Sequence, residues 1–151
     1  MTSKKTINSS HIETLLSCPF VHHVRGRCEK FRINFSLSLT SDCLCLSDGD
    51  TTDGFFDPPT RTSPGTLCLS VMGKELSEIY HTLAHEFCHL EQWVRDDALW
   101  VKWMKRSSRK STLALERRTE EEALEILKQF NLYDDSMLDR MNKYLRRLEN
   151  S

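Results

Sequence analysis

The chain is expected to fold as α+β: one N-terminal helix, a small antiparallel sheet, and a C-terminal half made of helices. Two patterns carry this expectation. Between Phe31 and Val71 the apolar residues form short strand-like runs separated by Asp, Gly, Thr and Pro. From Lys74 onward they recur instead at the three- and four-residue spacing of amphipathic helices. The 151 residues, 38% of them hydrophobic, suit a single domain spanning 1–151.

Taken in order, Ser9 or Ser10 is placed to cap a short helix running to about Cys18, which Pro19 would stop. Three strands are expected next, at Phe31 to Phe35, Cys43 to Leu46 and Leu67 to Val71. Ser47 to Gly65, rich in Asp, Gly, Thr and Pro, reads as a long covering loop. Leu76, Ile79, Tyr80, Leu83, Phe87, Leu90 and Val94 mark one face of a helix. A helical stretch through Trp100 and Trp103 either continues it or follows a kink at Asp96-Asp97. Ser111 to Phe130 and Asp135 to Leu148 complete the chain as two further helices, the last with Leu138, Met141, Leu145 and Leu148 as its apolar stripe.

Composition narrows the function classes. Charged residues nearly cancel to a formal net charge of −1, so no global field favours nucleic acid or membrane. Met1 to Asn8 is polar, no signal-peptide-like stretch follows, and no run approaches the ~18 apolar residues of a membrane span. The expectation is a soluble cytoplasmic protein whose six cysteines are thiols, mostly buried. Cys43 and Cys45 form the one close pair and have no C-x-x-C mate, which argues against a cysteine-zinc framework.

The chemistry concentrates in His85-Glu86-Phe87-Cys88-His89. On a helix, two imidazoles four positions apart lie one turn apart on the same side and can converge on one ion. Glu86, one step round, can reach a water on that ion. Stepping ~100° per residue puts His85 and His89 nearly opposite the apolar stripe. They then face away from the sheet, toward the C-terminal helices. No histidine follows His89, and Arg95 stands six positions after it, which excludes the longer three-histidine pattern. A carboxylate is expected as third ligand, unless an upstream histidine serves.

Glu120 falls in the middle of the stripe set by Leu113, Ala123, Leu124 and Leu127, with Glu116 one turn earlier as its rival. A carboxylate on a packing face costs several kcal/mol unless it is paired or bound to metal. Asp134 and Asp135 are further candidates. As donors to a developing oxyanion, His81 and Tyr133 come into view.

The H-E-F-C-H run, with Glu120-Glu121-Glu122-Ala123 downstream, resembles the gluzincin pattern of H-E-x-x-H followed by E-x-x-A. It is similar in particular to small single-domain gluzincin-like peptidases of bacteria and phages. The resemblance covers roughly residues 66 to 132. It implies a zincin-like fold with zinc held by His85, His89 and Glu120, and Glu86 as general base in hydrolysis of a peptide or protein substrate. It also places the Leu67 to Val71 strand at the edge of the substrate cleft.

The alternative reading is a weakly active or inactive binding module that contacts nucleic acid through the basic segment 102–118, which holds Lys102, Lys105, Arg106, Arg109, Lys110, Arg117 and Arg118. Trp93, Trp100 and Trp103 are expected to pack the core, Cys88 to be packing, and His22-His23 to lie on the surface.

Overall fold

The computed structural model describes residues 9–46 and 48–151; Met1 to Asn8 and Ser47 lie outside them, as do the side chains of the expected caps Ser9 and Ser10. Among the described residues the chain is a mixed α+β fold of six helices and two small sheets.

Helix α1 (Ser9–Ser17) ends before Pro19, but Pro19 then opens a second helix, α2 (Pro19–Lys30). The expected single N-terminal helix is thus two. Proline costs nothing at a first helical position, where its missing N–H would have no partner and its φ is already helical. Phe20, Val21, Val24 and Cys28 form the buried face of α2, while His22 and His23 are exposed as expected.

The main sheet has the order β1-β5-β4, with β1 at Ile33–Ser38, β4 at Gly54–Asp57 and β5 at Gly65–Ser70. Strands β2 (Leu44–Cys45) and β3 (Thr51–Thr52) form a separate antiparallel pair. Three expectations are corrected here. The sheet is not all antiparallel: β1 runs parallel to β5, from Ile33↔Gly65 to Ser38↔Ser70, while β4 is antiparallel to β5. The connection between β1 and β5 holds a hairpin and a whole strand, long enough for the crossover that parallel pairing needs. Ser47 to Gly65 is accordingly not one loop, because it contains β3 and β4, and Phe56 of β4 is buried. Finally, β5 is the central strand, and the edges belong to β1 and β4.

Helix α3 (Leu76–Val94) carries the histidine motif and packs against β4 and β5 as well as against α5 (Arg109–Gln129). Leu67 and Leu69 of the sheet, Leu83 and Leu90 of α3, and Leu115 and Leu127 of α5 are essentially inaccessible and form the centre of the core. Asp96 adopts φ 49°, and Asp97 accepts from Leu99 N at 3.0 Å, so Trp100 and Trp103 sit on a distinct helix, α4 (Ala98–Lys105). Trp100 is buried against Phe56 and Trp103, and Trp93 meets Phe31 and Phe56.

The last helix, α6 (Asp135–Glu149), turns three of the four expected stripe residues inward and one, Leu138, outward. Met137 and Leu145 are buried and Met141, Tyr144 and Leu148 are half-buried, while Leu138 is exposed. These inward positions follow a seven-residue spacing anchored on Met137 rather than on Leu138.

Candidate metal centre

Three histidines of α3 at four-residue intervals, His81, His85 and His89, stand on one side of that helix and meet two acids of α5 one turn apart, Glu116 and Glu120. Helices α3 and α5 run in opposite directions across this contact. His81 Nε2 lies 2.7 Å from Glu120 Oε2, His85 Nδ1 lies 3.3 Å from Glu120 Oε1, His85 Nε2 lies 2.8 Å from Glu116 Oε2, and His89 Nε2 lies 3.3 Å from Glu116 Oε1. Both carboxylates and the imidazoles of His81 and His89 are buried. Buried acids of this kind are costly unless opposite charge and hydrogen bonds meet them, which is what the imidazole row supplies.

One donor atom each from His85, His89 and Glu116 falls within 4.8 Å of the others. Bonds of about 2 Å bring donors on one zinc to about 3.4 Å apart, so small side-chain rotations suffice to close the set on a cation. Two imidazoles and a carboxylate are also a donor set that suits zinc. The residues fit a divalent metal.

The third member is Glu116, the rival, rather than Glu120. Glu120 stands behind His85, where its carboxylate accepts from Nδ1 and leaves Nε2 directed at Glu116. A carboxylate in that place fixes a ligand imidazole's orientation and tautomer. Arg140 Nε donates toward His81 Nδ1 at 3.5 Å. Since arginine cannot accept, the remaining His81 proton sits on Nε2 and is donated to Glu120. His81 is therefore a buried support of Glu120 rather than a solvated residue. On the other side, His89 Nδ1 meets Gln92 Oε1 at 2.9 Å, and the Gln92 amide donates to Thr119 Oγ1 at 2.9 Å.

The electrostatics follow from burial and proximity. Burial opposes the charge on His85, but the charge and hydrogen bond of Glu116, joined by Glu120, overcome it and hold the imidazole well above its usual range. Burial likewise works against Glu116, yet His85 and His89 hold it well below the carboxylate range. Glu120 is drawn down to about 2 against its burial, chiefly by hydrogen bonds from His81 and His85. Glu86 behaves oppositely: burial raises it, and the two imidazoles offset this only in part. Among the described residues Glu86 has no hydrogen-bond partner, and it lines a cleft of ≈ 1110 Å³ together with His85.

That cleft is bounded by Gly54 of β4 on one side and by Tyr144 of α6 on another. Tyr144 escaped the sequence reading. Its hydroxyl donates to Glu116 Oε2 at 3.2 Å, and its ring stands edge-on to His85. Burial, with help from Glu116, pushes its ionisation far above the usual range, so the phenol keeps its proton. The seven-residue spacing anchored on Met137 would have pointed it inward. Tyr133 instead lies under Lys128 Nζ and does not line the cleft, and Asp134 and Asp135 are exposed at the start of α6. Cys88 is buried and its thiol is raised by that burial, which suits packing.

Part of the basic segment is engaged within the fold. Arg117 pairs with Glu149 at 2.7 Å, Arg118 pairs with Asp97, and Arg109 donates to the Glu149 carbonyl. Lys102, Lys105 and Arg106 border a second, shallower recess. No protein-family model, no curated protein and no solved structure matches the chain.

Proposed function

We propose that this chain is a zinc-dependent hydrolase of gluzincin type that cleaves peptide bonds. The observation that carries the reading is the convergence of His85, His89 and Glu116 beside a buried Glu86 that opens on the cleft. The resemblance of the His85 to His89 run to the gluzincin motif supports it. The family's downstream E-x-x-A matches Glu120 in sequence, whereas Glu116, followed by Thr119, is the acid against both imidazoles.

In this reading His85, His89 and Glu116 hold the ion, and zinc when bound supplies Lewis acidity toward a water and a carbonyl. Glu86 takes a proton from the attacking water at a carboxylate oxygen and delivers it to the departing amine. Tyr144, still protonated and on the cleft wall, would meet charge developing on the carbonyl oxygen by turning its hydroxyl away from Glu116, whereas His81 is held between Glu120 and Arg140 and Tyr133 does not line the cleft. Glu120 and Gln92 hold the two imidazoles in orientation. The free edge of β4, rather than β5, is where an extended peptide would add backbone hydrogen bonds beside the cleft.

The test is metal analysis joined to a variant. The purified chain should carry about one equivalent of zinc and cleave members of a peptide library. Glu86→Gln should keep the metal and lose hydrolysis. Undiminished cleavage by that variant removes Glu86 as the base, and a chain that takes up no zinc removes the reading as a whole.

A further inference from the structure

Helix α6 forms one wall of the cleft, and four of its six residues there are cationic, Arg140, Lys143, Arg146 and Arg147, beside Tyr144 and Leu148. Positions 140, 143 and 147 fall on one face of the helix. Arg140 is occupied, donating to His81 and Ser77. The other three make no ion pair among the described residues. Asp139, one turn before Lys143, does not pair with it; Arg146 reaches only the Asn142 carbonyl at 3.4 Å, and the Arg147 guanidinium stands 6.0 Å from the centre of the Tyr144 ring. Lys143 and Arg147 are moreover an i, i+4 pair of like charge, an arrangement that disfavours the helix.

The acids that line the same cleft do not answer this charge. Asp53 is taken by Lys74 at 3.3 Å and Glu120 by His81, which leaves Glu86, whose place is beside the metal position. Three unpaired cations thus share a concave surface with the candidate reaction centre. A concave wall of one sign concentrates ligands of the other.

We propose that Lys143, Arg146 and Arg147 are specificity residues that select substrates carrying carboxylates, so that the chain prefers acidic peptides. This rests on the hydrolase reading and names its substrate class. The carboxylate comes either from Asp or Glu side chains or from a free C-terminus. A competing account is that Arg146 and Arg147 merely complement the C-terminal end of the α6 dipole, and it predicts no dependence on peptide charge.

The experiment uses the full chain as Glu86→Gln, loaded with zinc so that nothing is turned over, and fluorescently labelled peptides of equal length containing either Glu or Gln, each with a free or an amidated C-terminus. Binding is read by anisotropy at low and high salt. The Glu peptide should bind about tenfold more tightly at low salt, with the gap closing as salt rises. Replacing all three cations (Lys143→Ala, Arg146→Ala, Arg147→Ala) should erase the preference with zinc content unchanged, and Lys143→Gln alone should reduce it. If amidation removes the preference, the carboxylate is the C-terminal one; if it survives amidation, side chains supply it. Equal binding of Glu and Gln peptides overturns this inference and leaves the hydrolase reading standing. Failure of the zinc-loaded protein to bind any peptide overturns both. Binding of a single-stranded oligonucleotide through these cations, without binding of acidic peptide, assigns the wall to nucleic acid instead and overturns the proposal.

Discussion

Gln92 Oε1 lies 2.9 Å from His89 Nδ1, and Gln92 itself is wholly buried between α3 and α5. Its amide nitrogen is committed to Thr119 Oγ1, which in turn donates to the Leu115 carbonyl at 2.8 Å. The orientation of the His89 imidazole is thereby tied to the backbone of the opposite helix. Replacing Gln92 by Leu should leave the helices packed and weaken zinc binding by about 10- to 100-fold. Competition with a calibrated chelator measures this, and a thermal melt of the metal-free protein separates it from unfolding. Unchanged zinc affinity would make Gln92 a core residue only.

Glu116 and Glu120 should separate in the same measurement. Glu116 reaches both His85 and His89, while Glu120 reaches His85 only through Nδ1 and is shared with His81. Glu116→Gln is expected to abolish stable zinc binding. Glu120→Gln is expected to keep the ion with an affinity lower by about 10- to 100-fold. X-ray absorption on the two variants checks the assignment through the number of nitrogen and oxygen neighbours. The reverse order of effects would restore Glu120 as the ligand that the E-x-x-A pattern implies.

What was legible and what was not has a physical basis. His85, Glu86 and His89 could be read because a four-residue spacing on one helix fixes their relation without reference to anything distant. The choice between Glu116 and Glu120 depends on the rotation of a second helix, and Leu113, used to set its apolar face, is only half-buried, whereas Leu115 is fully buried. That shift rotates the inward arc so that both acids lie within it. Tyr144 was missed because the expected stripe of α6 began at the exposed Leu138 and left out the buried Met137, although Met141, Leu145 and Leu148 do turn inward. The parallel pairing of β1 with β5 lay further out of reach, because it depends on how the chain between them crosses the sheet rather than on alternation within either strand.

Zinc binding should release protons, and the sign follows from His85. In the metal-free chain its two nitrogens face Glu116 and Glu120, and these acids hold the imidazolium well above the usual range despite burial. A metal must displace that proton, so apparent affinity should fall as pH falls, by up to about tenfold per pH unit for this group. Because the shift is upward, affinity should keep climbing past neutrality instead of levelling off near the ordinary imidazole value of 6.5. Glu116, held low, is already ionised and adds no proton in this window. Calorimetry in buffers of different ionisation enthalpy counts the protons, and a pH-independent affinity between neutral and mildly alkaline conditions would contradict the assignment.

Two glycines should respond to alanine in opposite directions. Gly65 begins β5, where an added Cβ would lie 2.6 Å from the Asp57 carbonyl oxygen and 2.8 Å from the Pro59 nitrogen. Both are backbone atoms of β4 and the turn after it, so β4 has to move. Gly65→Ala should destabilise the fold by about 1–3 kcal/mol. It should also disturb β4, the strand whose Gly54 borders the cleft. Gly26 lies inside α2 with nothing within 4 Å of such a Cβ. There alanine lowers the entropy of the unfolded chain and favours the helix, which should stabilise by about 0.5–1 kcal/mol. Denaturant titrations of the two variants against the parent chain give both signs at once, and a neutral Gly65→Ala would mean that the β4–β5 pairing does not have the close approach described.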